Sequence, residues 1–178
     1  MILYHGSSVG GIDVLLPFSS NHDKKYVYLT HLEELAVIYA HNPLTRPNGF
    51  FSYWLKEGSL HYDEYFPDQL RILYSGQAGY VYTCRESLPS LEKMDWVYIS
   101  EQPVTVQNVR FIPDLYQEIL RLEDQRRIQI HRYQEHSPKR LASICSMIRR
   151  EITGCDPEKE TDREYLRFLN THFPELTD

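Results

Sequence analysis

The sequence predicts an α+β fold, with a mostly antiparallel strand core followed by a helical extension. Three observations predict it. Residues 1–111 carry short aromatic and β-branched runs separated by turn residues. One helical stripe interrupts them, with Leu32, Leu35, Ala36 and Tyr39 at i, i+3, i+4 and i+7. From residue 112 onward the apolar period lengthens from that of strands to that of helices. The expected organisation is therefore a strand-rich domain over residues 1–111 and a helical extension over 112–178 packed on it.

Taken in order, Leu3-Tyr4 opens the first strand and Tyr26-Val27-Tyr28-Leu29 forms the next. Thr30 and Glu33 have the spacing of a capping box, so the striped helix is expected to start there and to stop at Asn42-Pro43. Phe50–Leu55 reads as a strand, which Glu57-Gly58 turns back into Leu60-His61-Tyr62 as a hairpin. A weaker helical stretch runs from Pro67-Asp68 to Leu73. Strands follow at Tyr80–Cys84, Trp96–Ile99 and Val104–Val106. In the extension, Pro113 suits a first helical position, and Leu115, Ile119 and Leu122 mark one stripe. Ser137-Pro138 opens a second helix with Leu141, Ile144, Ile148 and Ile152 on one face and Gly154 just past its end. Thr161 and Glu164 form the box of a third, carrying Tyr165, Leu166, Leu169 and Phe173.

Composition narrows the function classes. With 178 residues, 42% hydrophobic and 25% charged, the chain can bury a core of one domain. It contains no apolar run of the roughly 18–20 residues that a membrane span needs. Met1-Ile2-Leu3-Tyr4 meets His5-Gly6 with neither a basic leader nor a long apolar segment, so a first strand is expected there rather than a secretory signal. A net charge of −6 argues against a broad nucleic-acid surface but leaves room for a small anionic ligand held by backbone amides. The three cysteines are odd in number and lack metal-ligand spacing, which points to a reducing, cytoplasmic setting. His131 and His136 lie five apart and do not share a helical face, so no metal is expected.

The chemistry gathers at three places. Tyr4-His5-Gly6-Ser7-Ser8 sets an imidazole at a strand end beside bare backbone, where a flat ligand can approach. Tyr28 stands on a later strand, and Tyr39, eleven residues on, lies near the end of the helix. Each residue taken singly is an ordinary structural one; the joint pattern is what carries weight.

Tyr4-His5-Gly6-Ser7 resembles the first-strand motif of the ADP-ribosyltransferase superfamily, in its diphtheria-toxin-like and poly(ADP-ribose) polymerase-like branch. Val27-Tyr28-Leu29-Thr30 resembles that branch's second motif, and Tyr39 sits at the offset of the tyrosine on its following helix. The layout is similar to that of small bacterial members. The motifs cover residues 3–8 and 26–40, and Tyr26 stands where the family has glycine. The resemblance implies a split, mostly antiparallel core that binds NAD as substrate. It implies that His5 bonds the nicotinamide ribose 2′-hydroxyl, that Gly6 grips the carboxamide through its backbone, and that Tyr28 and Tyr39 sandwich the ring. Tyr4 and Ser7 would complete the cofactor-binding set, with Ser7 and Ser8 toward the adenosine.

That chemistry needs few parts. Nicotinamide in NAD is already cationic and leaves without a proton. The barrier is the oxocarbenium-like ribose, which a nearby carboxylate stabilises. The family's acid lies at the start of a late strand. Two residues fit, Glu101 and Asp95, and Glu101 is preferred. The expected activity is transfer of ADP-ribose to an unidentified acceptor with release of nicotinamide. Two alternatives stand: an inactive relative that senses NAD or ADP-ribose, and an interaction protein that works through its helical tail, including as a homodimer.

Overall fold

The computed structural model describes residues 1–19, 24–41, 52–91 and 94–176. In chain order the elements are β1 (Ile2–Ser7), β2 (Val14–Leu15), β3 (Phe18–Ser19), β4 (Lys25–Thr30), α1 (Glu33–Tyr39), β5 (Tyr53–Lys56), β6 (Ser59–Asp63), α2 (Gln69–Tyr74), β7 (Gly79–Arg85), β8 (Ser90–Leu91), β9 (Met94–Ser100), β10 (Val104–Thr105), β11 (Asn108–Ile112), α3 (Leu115–Asp124), β12 (Ile128–His131), α4 (Pro138–Thr153) and α5 (Glu160–His172). The protein is mixed α+β with an antiparallel sheet core, as the sequence predicts.

Contacts divide the chain into two units, Met1–Asn42 with Leu73–Ile128, and Pro43–Ile72 with Gln129–Asp178. This differs from a boundary at residue 112. The stripe of α3 explains part of the difference: Leu115, Ile119 and Leu122 are fully buried, α3 meets α1, and the Leu115 amide bonds the Gln77 carbonyl at 2.8 Å, all within the first unit. The second unit takes residues 59–63 as well as the last two helices, so neither unit is a continuous stretch of chain.

The first unit is built on a sheet of order β11-β7-β1-β4-β9-β8, with β3 beside β4. The pairs β1–β7, β7–β11, β1–β4 and β4–β9 are antiparallel. Pairing is uneven. β1 follows β7 over six residues, from Ile2↔Arg85 to Ser7↔Tyr80, but meets β4 at one registered pair, Tyr4↔Thr30. One face buries Leu3, Val27, Leu29 and Cys84 under the short β2–β10 ladder, whose Leu15 and Val104 stand opposite each other. Burial pushes the Cys84 thiol up to about 11, with the nearby Glu86 charge adding to the effect.

The other face receives α1. The helix buries Leu35, Ala36, Val37 and Ile38 and lies so close to β1 that a Cβ on Gly6 would stand 1.9 Å from the Ala36 carbonyl oxygen. Helix α1 begins two residues later than the capping-box reading allows. Thr30 is still strand, and its hydroxyl accepts from the Leu32 amide at 3.1 Å. Glu33 does not cap. Its carboxylate is held by Arg110 at 2.8 Å and by Arg127, charges that local sequence does not reveal. The expected stop at Asn42-Pro43 and the residues Phe50-Phe51 lie outside the described residues.

In the second unit, β5 and β6 form the expected hairpin. Glu57 and Gly58 both take positive φ, 52° and 79°, the two-residue turn that matches strand twist. β12 adds to β6, a strand inside the stretch read as helical. It brings His131 beside His61, with Nδ1 of one 2.9 Å from Nε2 of the other, and Trp54 stacks over both rings at about 5 Å. Ser137 caps α4 by accepting from the Arg140 amide, with Pro138 at the first helical position, as expected. Two other helix starts shift. Pro113 lies before α3 instead of opening it, and Asp114 caps the helix by accepting from the Gln117 amide. Thr161 lies inside α5, and Asp162 instead accepts from the Asp156 amide.

Candidate functional site

The singly registered seam between β1 and β4 is where Tyr4, His5, Gly6 and Tyr28 fall among the predicted site residues. Beyond Tyr4↔Thr30 no further backbone pair is registered between the strands, and the His5 side chain spans the gap: its Nδ1 lies 2.8 Å from the Tyr28 carbonyl oxygen. A carbonyl only accepts, so Nδ1 carries the proton. Burial holds the imidazole below its ordinary value of 6.5, against the opposing effect of the Tyr28 bond. At neutral pH the ring is therefore neutral, and Nε2 keeps a lone pair that can accept from a hydroxyl.

Tyr28 is half-buried on β4, with Phe18 and Tyr26 edge-on to its ring at 5.7 and 5.9 Å. Tyr26, the residue in the family's glycine position, thus belongs to an aromatic group around Tyr28. Tyr39 is the last residue of α1 and is 42% exposed. The same helix turn lies against Gly6, where a Cβ would come within 2.8 Å of the Tyr39 carbonyl carbon. His5 thus meets the backbone of Tyr28, and Gly6 meets the backbone at the end of α1. Tyr4 is half-buried, in register with Thr30 on one side and Thr83 on the other. The Ser7 hydroxyl accepts from the Val9 amide at 3.1 Å. The need for glycine at position 6 is met by the approach of α1 itself, so the residue type by itself says nothing of a ligand.

The two acids part company. Glu101 follows the end of β9, is exposed, and pairs with Lys24 at 2.9 Å. Asp95 is the second residue of β9, whose Val97 and Ile99 stand opposite Thr30 and Tyr28. Next in the chain, the Trp96 indole N–H is buried and has no hydrogen-bond partner among the described residues. Sequence reasoning missed Phe18, whose signal was an aromatic residue two positions after Leu16 in a short apolar run, and Tyr82, which lies opposite His5 across β1 and β7.

The histidines give a pH dependence with a defined sign. His5, His41 and His172 are held below 6.5 by burial, and His61 by burial and then by His131 and Lys56. Protonation therefore favours the unfolded chain. The stability these groups contribute is full above about pH 6.5 and is lost as pH falls below it through their lower folded values. The urea midpoint is expected to be lower at pH 5.5 than at pH 7.5; equal midpoints would show that these rings are solvated.

Among the described residues no group of three or more His, Cys, Asp or Glu is arranged to hold a metal, and no helix is long and apolar enough to cross a membrane. Compared with protein-family models, with curated proteins and with solved structures, the chain gives no match to any of the three.

Proposed function

We propose that the protein binds NAD at the β1–β4 seam and transfers its ADP-ribose to an acceptor, releasing nicotinamide. The observation that carries this reading is the His5–Tyr28 bond. It fixes a neutral imidazole with an accepting nitrogen at the strand separation. An accepting nitrogen is what a ribose hydroxyl requires. Tyr28 and Tyr39 supply ring faces for the nicotinamide. The C1′–N bond breaks with its electron pair going to the departing nicotinamide, and the acceptor's nucleophile bonds C1′ as its proton passes to water or base. The carboxylate in this reading is Asp95, because it lies at the start of a strand bonded to β4, whereas Glu101 lies past that strand's end beside Lys24.

The test is quantitation of free nicotinamide after incubation with NAD, together with calorimetric titration of NAD, for the wild type and for His5→Ala, Asp95→Asn and Glu101→Gln. Circular dichroism confirms that each variant is folded. Release is expected from the wild type and from Glu101→Gln and is expected to be lost in the other two. Saturable binding without release from any form would identify the sensor alternative. Neither binding nor release would sink the reading.

A further inference from the structure

After Ser7 the chain leaves β1, and the segment it enters is held by residues of another strand. Tyr82 on β7 stands directly opposite His5 in the register. Its ring is fully buried, yet its hydroxyl donates to the Val9 carbonyl at 2.8 Å and accepts from the Ile12 amide at 3.4 Å. Tyr80, opposite Ser7, lies against Gly10 so closely that a Cβ there would stand 2.5 Å from the ring carbon Cζ. Ser7 closes the near end through the Val9 amide. Burial alone would be served by phenylalanine at position 82. The hydroxyl is the part that reaches the segment.

We propose that Tyr82 is a positioning residue, fastening residues 7–12 as the wall of the cleft next to His5 that faces the dinucleotide beyond its nicotinamide end. The inference rests on the NAD reading above. Its mechanism is preorganisation: a segment already held in place loses less freedom when ligand binds. The effect should therefore fall on the whole dinucleotide and spare nicotinamide, which ends at His5 and Tyr28.

Tyr82→Phe keeps the ring and removes the hydroxyl. Gly10→Ala, at an exposed position, forces the segment and the Tyr80 ring apart and guards against a folding defect at the buried site. Amide hydrogen exchange at Val9–Ile12 and calorimetric affinities for NAD and for nicotinamide alone are the readouts. Faster exchange is expected in both variants, with NAD binding weakened roughly three- to tenfold, as for loss of one hydrogen bond, and nicotinamide binding unchanged. Faster exchange with unaltered NAD affinity would overturn the role, as would equal weakening of both ligands, which signals general loosening. Unchanged exchange would overturn the fastening itself. A wild type that binds neither ligand removes the parent reading and this role with it, a failure seen before any variant is made.

Discussion

Gly6→Ala is expected to lower the thermal midpoint by roughly 6–12 °C. The added methyl would meet three backbone atoms of one helix: the Ala36 carbonyl oxygen at 1.9 Å, the Ala40 nitrogen at 2.7 Å and the Tyr39 carbonyl carbon at 2.8 Å. A side chain in its way could rotate, but a helix backbone cannot. The whole of α1 must lift from β1, opening the contacts of Leu35, Ala36 and Ile38. Overpacking costs about 1–3 kcal/mol, and a clash with rigid backbone belongs at the upper end. For a chain of this size each kcal/mol is about 2–4 °C. Gly79→Ala, which meets Ala40 at 2.8 and 2.9 Å, should act in the same direction. Gly58→Asn is the control. Nothing lies within 4 Å of that position, and asparagine tolerates its positive φ. A Gly6→Ala midpoint within 2 °C of the wild type would mean that α1 does not sit on β1 as described. The result also bears on function: loss of NAD binding in a Gly6 variant would report the displaced helix, not a lost backbone contact to ligand.

Local pattern made the existence of α1 legible, but not its buried face: of the stripe, Leu35 and Ala36 are buried while Tyr39 is exposed, and Val37 and Ile38 off the stripe are buried as well. The β5–β6 hairpin was legible because Glu57-Gly58 is a turn signal in itself. What escaped had its cause elsewhere in the chain. β11 puts Val109 and Phe111, 47% and 55% exposed, on its outer positions, so hydrophobic alternation does not mark a buried face there. β12 offers only Ile128 and Ile130, too short an alternation to compete with the helical stretches on either side. Glu33 has the spacing of a capping residue, but two arginines at positions 110 and 127 take its carboxylate. In the candidate site, the residue types on β1 and β4 could be read. The tautomer of His5 and the reason for Gly6 could not, since each depends on which strand or helix lies next to β1.

The second large effect is expected at Asp63, and it is asymmetric. Asp63 ends β6 with its carboxylate 3% exposed. Arg140, in the first turn of α4, bonds one oxygen through both Nε and Nη2, while His136 Nε2 lies 3.2 Å from the other. The arginine also covers the Tyr65 ring at 5.7 Å, and its side chain remains 40% exposed. Removing either partner ends the pair, but the survivors differ. In Asp63→Ala the guanidinium can turn to water. In Arg140→Ala the carboxylate stays buried, with His136, whose Nε2 also lies 2.7 Å from the Glu64 carbonyl oxygen, as its remaining side-chain partner among the described residues. Leaving one member of a buried pair costs about 3–5 kcal/mol, and Arg140→Ala should fall near the lower figure because His136 remains. Asp63→Ala should cost less, and Asp63→Ala/Arg140→Ala should be more stable than Arg140→Ala alone. Arg140→Lys should recover little, since an ammonium cannot make the two-nitrogen contact. Denaturant unfolding of the four proteins reads the cycle directly. A greater loss from Asp63→Ala than from Arg140→Ala would mean that the carboxylate is not the stranded charge and that Asp63 acts chiefly through its contact with His136.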